Sequence, residues 1–252
     1  MERHALRDDQ FARIEQLLPG RPGTVGRNSE LGNRLFVEAV IWKFRVGVPW
    51  RDLPERFGGW CNTHKRFSRW AASGVWENLF KALADDPDNE YAMIDATIVR
   101  AHQHSAGARK KGGSDQAIGR SRGGLTTKIH VIVDALGNPL ALSLTGGQVH
   151  DITQAEALMT QVEPEALLGD KGYDADHLIE SLTARTIRAV IPPKSNRKVQ
   201  RQCDFALYCE RNLVERFFCT IKHFRAIATR YEKTARNFLA GLHLVCALAW
   251  LK

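Results

Sequence analysis

Apolar positions recur at helical spacing through the first 83 residues and run together as strands beyond residue 90. Phe11, Ile14, Leu17 and Leu18 share one face of a helix over 7–18, stopped by Pro19-Gly20. Ser29 is placed to cap a helix reaching Phe44, and Arg51 to Phe57 reads as a short helix. Gly58-Gly59 makes a turn, Asn62 caps a helix through Ala72, and another runs from Val75 to Leu83. The polar, proline-containing segment Ala84-Asp85-Asp86-Pro87-Asp88-Asn89 then breaks the pattern. Beyond it, strands are predicted over Tyr91–Val99, Thr126–Asp134 and Pro139–Thr145, with a hairpin turn at Leu136-Gly137-Asn138. A helix capped by Asp151 covers 152–162, a short strand Ala166–Leu168, a helix 175–184 and a strand 189–191. A Gly-, Arg- and Ser-rich loop, Ser105 to Gly124, separates the first two strands. The expected organisation is an all-helical domain over 1–88 and a layered α/β domain over 89–252.

Composition narrows the class. The 252 residues are 44% hydrophobic and 25% charged, which is globular usage. No apolar run approaches the roughly 18 to 20 residues of a membrane span. The longest, Leu244 to Leu251, reads as a buried helix end. The charged start, MERHALRDDQ, lacks the apolar core of a secretory signal, so a cytoplasmic protein is expected. Five cysteines (61, 203, 209, 219 and 246) form no C-x-x-C pair and predict reduced thiols rather than a disulfide or zinc framework.

Net charge is +8, and its distribution is uneven. Residues 176–252 carry 14 Lys and Arg against 6 Asp and Glu, whereas the rest of the chain is nearly balanced. A solvated basic face explains such a bias most simply, and a polyanionic partner is the other reading. The short helix, glycine turn and capped helix bearing Lys65, Arg66 and Arg69 look like a helix-turn-helix. Helix pairs joined by glycine also occur without DNA. Trp50, Trp60, Trp70 and Trp76 fit a core better than a base-stacking platform.

The chemistry-bearing pattern lies at Tyr208 to Lys222, YCERNLVERFFCTIK. At about 100° per residue, Tyr208, Arg211, Glu215 and Lys222 share a stripe about 60° wide, opposite Leu213, Val214, Phe217, Phe218 and Ile221. An Arg211–Glu215 helical ion pair is the plain account of that stripe. Asp95 is harder to explain plainly, because it interrupts an apolar strand where an ionised carboxylate needs a partner or a cation. Asp170 follows a short apolar strand between glycines, where turn chemistry alone would also suit it. Three carboxylates from separate elements can converge on hard divalent cations, and two ions about 3.5–4 Å apart drive phosphodiester displacement. Asp134 reads as a turn residue and His150-Asp151 as a helix cap. His102, His104 and His130 fit surface or hydrogen-bonded core, and Arg120, Arg122 and Lys128 are candidate DNA contacts.

Asp95, Asp170 and Glu215, with Tyr208-x2-Arg211-x3-Glu215-x6-Lys222, resemble the DDE transposases of bacterial insertion sequences. The contexts MIDAT, LLGDKGYD and GRSRGGLTTKIH look like the insertion-sequence-five family, as does the N-terminal stretch VPWRDLPERFGGWCNTHKRFSRW. The likeness covers nearly the whole chain. It implies a ribonuclease H-like catalytic core, a mixed sheet flanked by helices, behind an all-helical DNA-binding domain. It further implies two Mg²⁺ or Mn²⁺ ions held by Asp95, Asp170 and Glu215, and DNA contacts at Tyr208, Arg211 and Lys222. The activity implied is cleavage and strand transfer at inverted-repeat ends, by a homodimer or higher oligomer on double-stranded DNA in the bacterial nucleoid. Only 44 residues separate Asp170 from Glu215, so no large inserted domain is expected there. The rival readings are a DNA-binding remnant without catalysis and a metal-dependent nuclease that cuts but does not join.

Overall fold

The computed structural model describes residues 5–20, 31–106 and 116–252. In chain order, the helices α1 (Asp8–Glu15), α2 (Asn33–Val46), α3 (Trp60–Ala72) and α4 (Val75–Leu83) precede strand β1 (Ala92–Ala101). There follow α5 (Gln103–Ala106), β2 (Gly119–Ser121), β3 (Gly124–Val133), β4 (Pro139–Gly146), α6 (Ile152–Met159) and β5 (Ala166–Leu168). The chain ends with α7 (Asp176–Ala184), β6 (Arg188–Val190), α8 (Phe205–Tyr208), α9 (Asn212–Lys222), α10 (Arg225–Ala228), β7 (Thr229–Arg230) and α11 (Ala235–Trp250). No helix among the described residues is long and apolar enough to cross a membrane.

Two compact units emerge, each discontinuous in sequence. One joins Met1–Asp85, Arg100–Gln116 and Ile221–Lys252; the other joins Asp86–Val99 and Ala117–Thr220. The units therefore do not follow a single cut at residue 88. The reason lies in α11, whose Phe238, Leu242, Leu244 and Val245 are buried and which packs on α4, α3 and α2. Gly241 permits that approach, since a Cβ there would stand 2.2 Å from the Phe44 ring.

Within this first unit an aromatic core forms around Phe36, with Trp70 edge-on at 4.9 Å and Trp76 5.2 Å from Trp70. Trp70 and Trp76 are core as expected, whereas Trp60 is exposed beneath the Arg51 guanidinium. The stretch read as one helix over 51–57 is two short 3-10 turns, Trp50–Asp52 and Glu55–Phe57. Pro54 separates them, because it lacks an N–H and keeps Leu53 extended. Gly59 rather than Asn62 stands at the N-cap of α3, and Asn62 falls in its first turn. The proposed Ser29 cap lies outside the described residues, and α2 starts after Gly32. Beneath α2, Lys43 and Glu232 form a buried ion pair, and Trp50 Nε1 donates to the same Glu232 oxygen at 3.2 Å.

The second unit holds a sheet whose hydrogen-bonded order is β2-β3-β1-β5-β6, with β4 also on β3. β1, β5 and β6 are parallel, and β3 pairs antiparallel with β4. Ala92, Ile94, Ile132 and Leu167 form one core with Ala155, Leu158 and Met159 of α6 and Leu178 and Leu182 of α7. Strand alternation turns Met93 and Asp95 to the other face. β2 was not legible: it pairs Arg120 with Leu125 inside the Gly- and Ser-rich stretch, whose residues 107–115 lie outside the description.

Candidate functional site

The parallel pairing of β1 with β5 explains why two distant aspartates are neighbours. Met93 pairs with Leu168, the last residue of β5; Asp95 lies two residues further along β1, which continues to Ala101, and Asp170 lies two residues beyond the end of β5. The charge of Asp170 is felt at Asp95, as two nearby carboxylates require. The Asp170 carboxylate is fixed by Gly172 N–H, which donates to Oδ1 at 2.7 Å. A Cβ at residue 172 would stand 2.8 Å from that oxygen and shift the carboxylate.

The third acid arrives on α9. Residues 208–222 are not one continuous α-helix: α8 ends at Tyr208, a 3-10 turn covers Cys209–Arg211, and α9 begins at Asn212. Arg211 still reaches Glu215 in the next turn, Nη1 donating to Oε1 at 2.8 Å. It does more than the plain helical pair predicts, because Nη2 also donates to Asp95 Oδ2 at 3.3 Å. One guanidinium thus joins the strand acid to the helix acid. Arg211 and Asp95 are largely enclosed, with side chains 15% and 17% exposed, while Glu215 stays open at 62%.

Charge and burial disagree at Asp95. Burial pushes its pKa up to about 6, against the pull of Arg211 and of the Ala96 N–H, which donates at 2.8 Å. The charges of Asp170 and Asp151 push it further the same way. Burial raises Tyr208 as well, with Arg211 opposing.

Of two further residues near these acids, Asp151 is expected from sequence only as a helix cap and Tyr173 has no expected role. Asp151 occupies the N-cap position of α6 but makes no capping bond; its Oδ1 stands 2.8 Å from Lys128 Nζ and 3.8 Å from His130 Nδ1. Tyr173 is buried, its hydroxyl has no hydrogen-bond partner among the described residues, and burial drives its pKa far up, reinforced by Asp151, Asp95 and Asp170. A helix-start aspartate and a turn tyrosine look ordinary in one dimension. The sequence signal available was the placing of a Tyr three residues after Asp170.

The remaining candidates scatter. Lys128 is buried, donating to Val149 O at 2.6 Å besides pairing with Asp151. His130 donates or accepts at Thr145 Oγ1 at 2.8 Å, and burial lowers its pKa to about 4, so it is neutral. Asp134 accepts from the N–H groups of Leu136 and Asn138, which is the turn role expected of it. Arg120 and Arg122 are exposed on the β2–β3 hairpin, and Lys222 closes α9 within the first unit. In α3 of that unit, Lys65 and Arg69 are exposed. Arg66 turns inward: it donates to Gly32 O at 3.1 Å and to Asn33 Oδ1, and lies 4.2 Å over Phe36. Burial, helped by Arg69, lowers its pKa to about 10.

The donor set Asp95, Asp170 and Glu215 is all hard carboxylate oxygen, the chemistry that suits Mg²⁺ or Mn²⁺. As arranged, it does not close around an ion. Among the described residues, no group of three or more His, Cys, Asp or Glu side chains is gathered to hold a metal, and Arg211 supplies the positive charge.

A mixed sheet flanked by helices, with one acid inside a parallel strand, a second just beyond the end of the neighbouring strand and a third on a following helix, is of the ribonuclease H-like class. The family model described as "Transposase DDE domain" matches residues 87–250, and one described as "Putative transposase of IS4/5 family" matches residues 6–80. The chain belongs to the DDE transposase family of insertion sequences. It is 50% identical over 115 residues to "Uncharacterized protein y4sN" of Sinorhizobium fredii, covering 45% of this chain and 90% of that protein. It is 39% identical over 131 residues to "Putative transposase for insertion sequence element IS6501" of Brucella ovis, covering 51% of this chain and 100% of that protein. Among solved structures, it is similar to the piggyBac transposase in a synaptic complex with hairpin DNA, at TM-score 0.42 and 14% identity. That match covers 75% of this chain and 47% of that one. The Mos1 strand transfer complex matches at TM-score 0.29 and 11% identity, covering 91% and 81%.

Proposed function

We propose that this transposase cuts DNA at the ends of its insertion sequence and joins the freed ends to target DNA, with Asp95, Asp170 and Glu215 as its catalytic acids. The observation that carries the reading is that Asp95 and Asp170 each stand two residues past the paired Met93 and Leu168 of parallel strands β1 and β5, with Arg211 tying Asp95 to Glu215. Two Mg²⁺ or Mn²⁺ ions would supply activation of the attacking oxygen and stabilisation of the leaving oxygen. Tyr208, Arg211 and Lys222 would bind backbone phosphates, Arg through a fork of donors and Lys as a point charge. The exposed bases Lys65 and Arg69 on α3, with Arg120 and Arg122 on the hairpin, would share the DNA load in a homodimer or higher oligomer at the nucleoid. Double-stranded DNA is the partner that fits the basic excess in residues 176–252.

The test uses the full chain, Mg²⁺ and a duplex carrying the element's end, scored separately for binding, cutting and joining. Asp95→Asn, Asp170→Asn and Glu215→Gln should each abolish cutting and joining while retaining binding, because phosphate contacts dominate affinity. Near-normal cutting by any one variant removes that acid from the set. A pre-cut end with a free 3′-hydroxyl that yields no joined product leaves a nuclease. An unaltered chain that binds ends but cuts none is the inactive remnant.

A further inference from the structure

The carboxylates that the proposed chemistry needs are held together here by a side chain rather than by an ion. We infer that Arg211 is an internal lock on the carboxylate site: it occupies the cation's place between Asp95 and Glu215 and must swing out for a divalent ion to bind. This rests on the assignment of those acids as metal ligands.

Three observations carry it. Arg211 donates to both acids, Nη1 to Glu215 at 2.8 Å and Nη2 to Asp95 at 3.3 Å, so these two carboxylates share one counter-charge. The guanidinium is enclosed while Glu215 is exposed, so Arg211 covers Asp95 from solvent rather than trailing on a helix surface. Its Nε is buried without a hydrogen-bond partner among the described residues. An arginine selected only to sit here would have that N–H satisfied, because an unmade buried bond is a standing penalty. The arrangement is thus well paired at one edge of the fork and incomplete at the other, as suits a side chain with a second position. That second position is outward, along the exposed side of Glu215, where a phosphate would satisfy the whole fork. Metal and DNA would then favour the same movement: the ion displaces the guanidinium from the acids, and a backbone phosphate receives it.

Mn²⁺ binding to the full chain, followed by the paramagnetic signal of the free ion, reads this directly. Arg211→Gln keeps a polar but shorter, uncharged side chain, and should bind Mn²⁺ about tenfold or more tightly than the unaltered protein, since no charge-assisted pair has to be broken. Adding Asp95→Asn to Arg211→Gln should erase the gain. In the unaltered chain, Mn²⁺ should accelerate modification of Arg211 by phenylglyoxal, read by peptide mass spectrometry, and this arm needs no substitution to fold. Equal or weaker Mn²⁺ binding by Arg211→Gln overturns the lock while leaving the metal assignment standing. A gain that survives Asp95→Asn places the ion elsewhere and overturns the lock too. Absence of Mn²⁺ binding in both folded proteins overturns the carboxylate assignment itself, and the lock with it.

Discussion

Asp174 Oδ2 accepts a hydrogen bond from Arg197 Nε at 2.6 Å, and its Oδ1 accepts from Arg201 Nη1 at 2.6 Å. The same carboxylate takes the Lys194 N–H at 2.8 Å, so four residues after Asp170 a buried acid pins the basic segment that leads towards Glu215. Asp176 pairs with both arginines from a far more exposed position. Asp174→Ala should therefore destabilise the second unit by about 2–3 kcal/mol, because the exposed pair that remains is worth little. Denaturant melts give the magnitude, and hydrogen exchange should show faster opening over 194–201. Unchanged exchange there would mean that the segment holds without its anchor.

Lys43 and Glu232 pose the same problem inside the first unit, where both are buried. Lys43→Met should cost about 3–5 kcal/mol, since it leaves Glu232 as an unpaired buried charge. Glu232→Gln on top of Lys43→Met should recover most of the loss, because the amide oxygen still accepts from Trp50 Nε1. A double variant no more stable than Lys43→Met would show that the contact of the Lys43 ammonium with the Phe44 and Trp50 rings matters more than its pairing with Glu232.

Much of this was readable from one dimension, for reasons that also mark where reading stopped. β1, β3, β4 and β5 announce themselves by runs of apolar residues, and Asp95 stands out because it breaks such a run. Asp170 and Asp95 come together through strand register, which periodicity does not encode. The position of Arg211 was visible at four residues from Glu215, but its second bond, to Asp95 116 residues away, was not. Arg66 shows the converse: three bases on one helix look alike in sequence, and only packing against Phe36 and Trp70 separates the middle one. The packing of α11 on the N-terminal helices was not readable for the same reason, because α11 resembles any apolar helix until its neighbours α4, α3 and α2 are known.

The buried state of Asp95 sets a sign for pH dependence. Its pKa is about 6 folded against an ordinary carboxylate value near 4, so the folded chain holds a proton that the unfolded chain has lost. Stability attributable to this group is full below about pH 4 and declines as the pH rises through about 6, by about 3 kcal/mol in all. Asp95→Asn removes the titration. The stability of the unaltered protein relative to Asp95→Asn should thus fall between roughly pH 4 and 6 and stay level above that. A difference that rises over the same interval would mean that Arg211 outweighs burial.

The three bases of α3 should separate into two behaviours. Lys65 and Arg69 line a concavity of about 460 Å³ with Asn62, His64 and Ser68, and both side chains are exposed. Arg66 is committed to Gly32 O, Asn33 Oδ1 and the Phe36 and Trp70 rings. Arg66→Ala should accordingly lower stability by about 1–3 kcal/mol and affect DNA binding only through folding. Lys65→Ala and Arg69→Ala should leave stability within about 0.5 kcal/mol and weaken DNA binding. The form of that weakening tells how the helix is used. Loss confined to end-sequence DNA means base reading, whereas equal loss on end and scrambled duplexes, with the salt slope falling by about 1 per residue removed, means phosphate contacts. Competition binding at several salt concentrations decides it. Full affinity in the Lys65→Ala, Arg69→Ala double variant would take α3 out of the DNA interface.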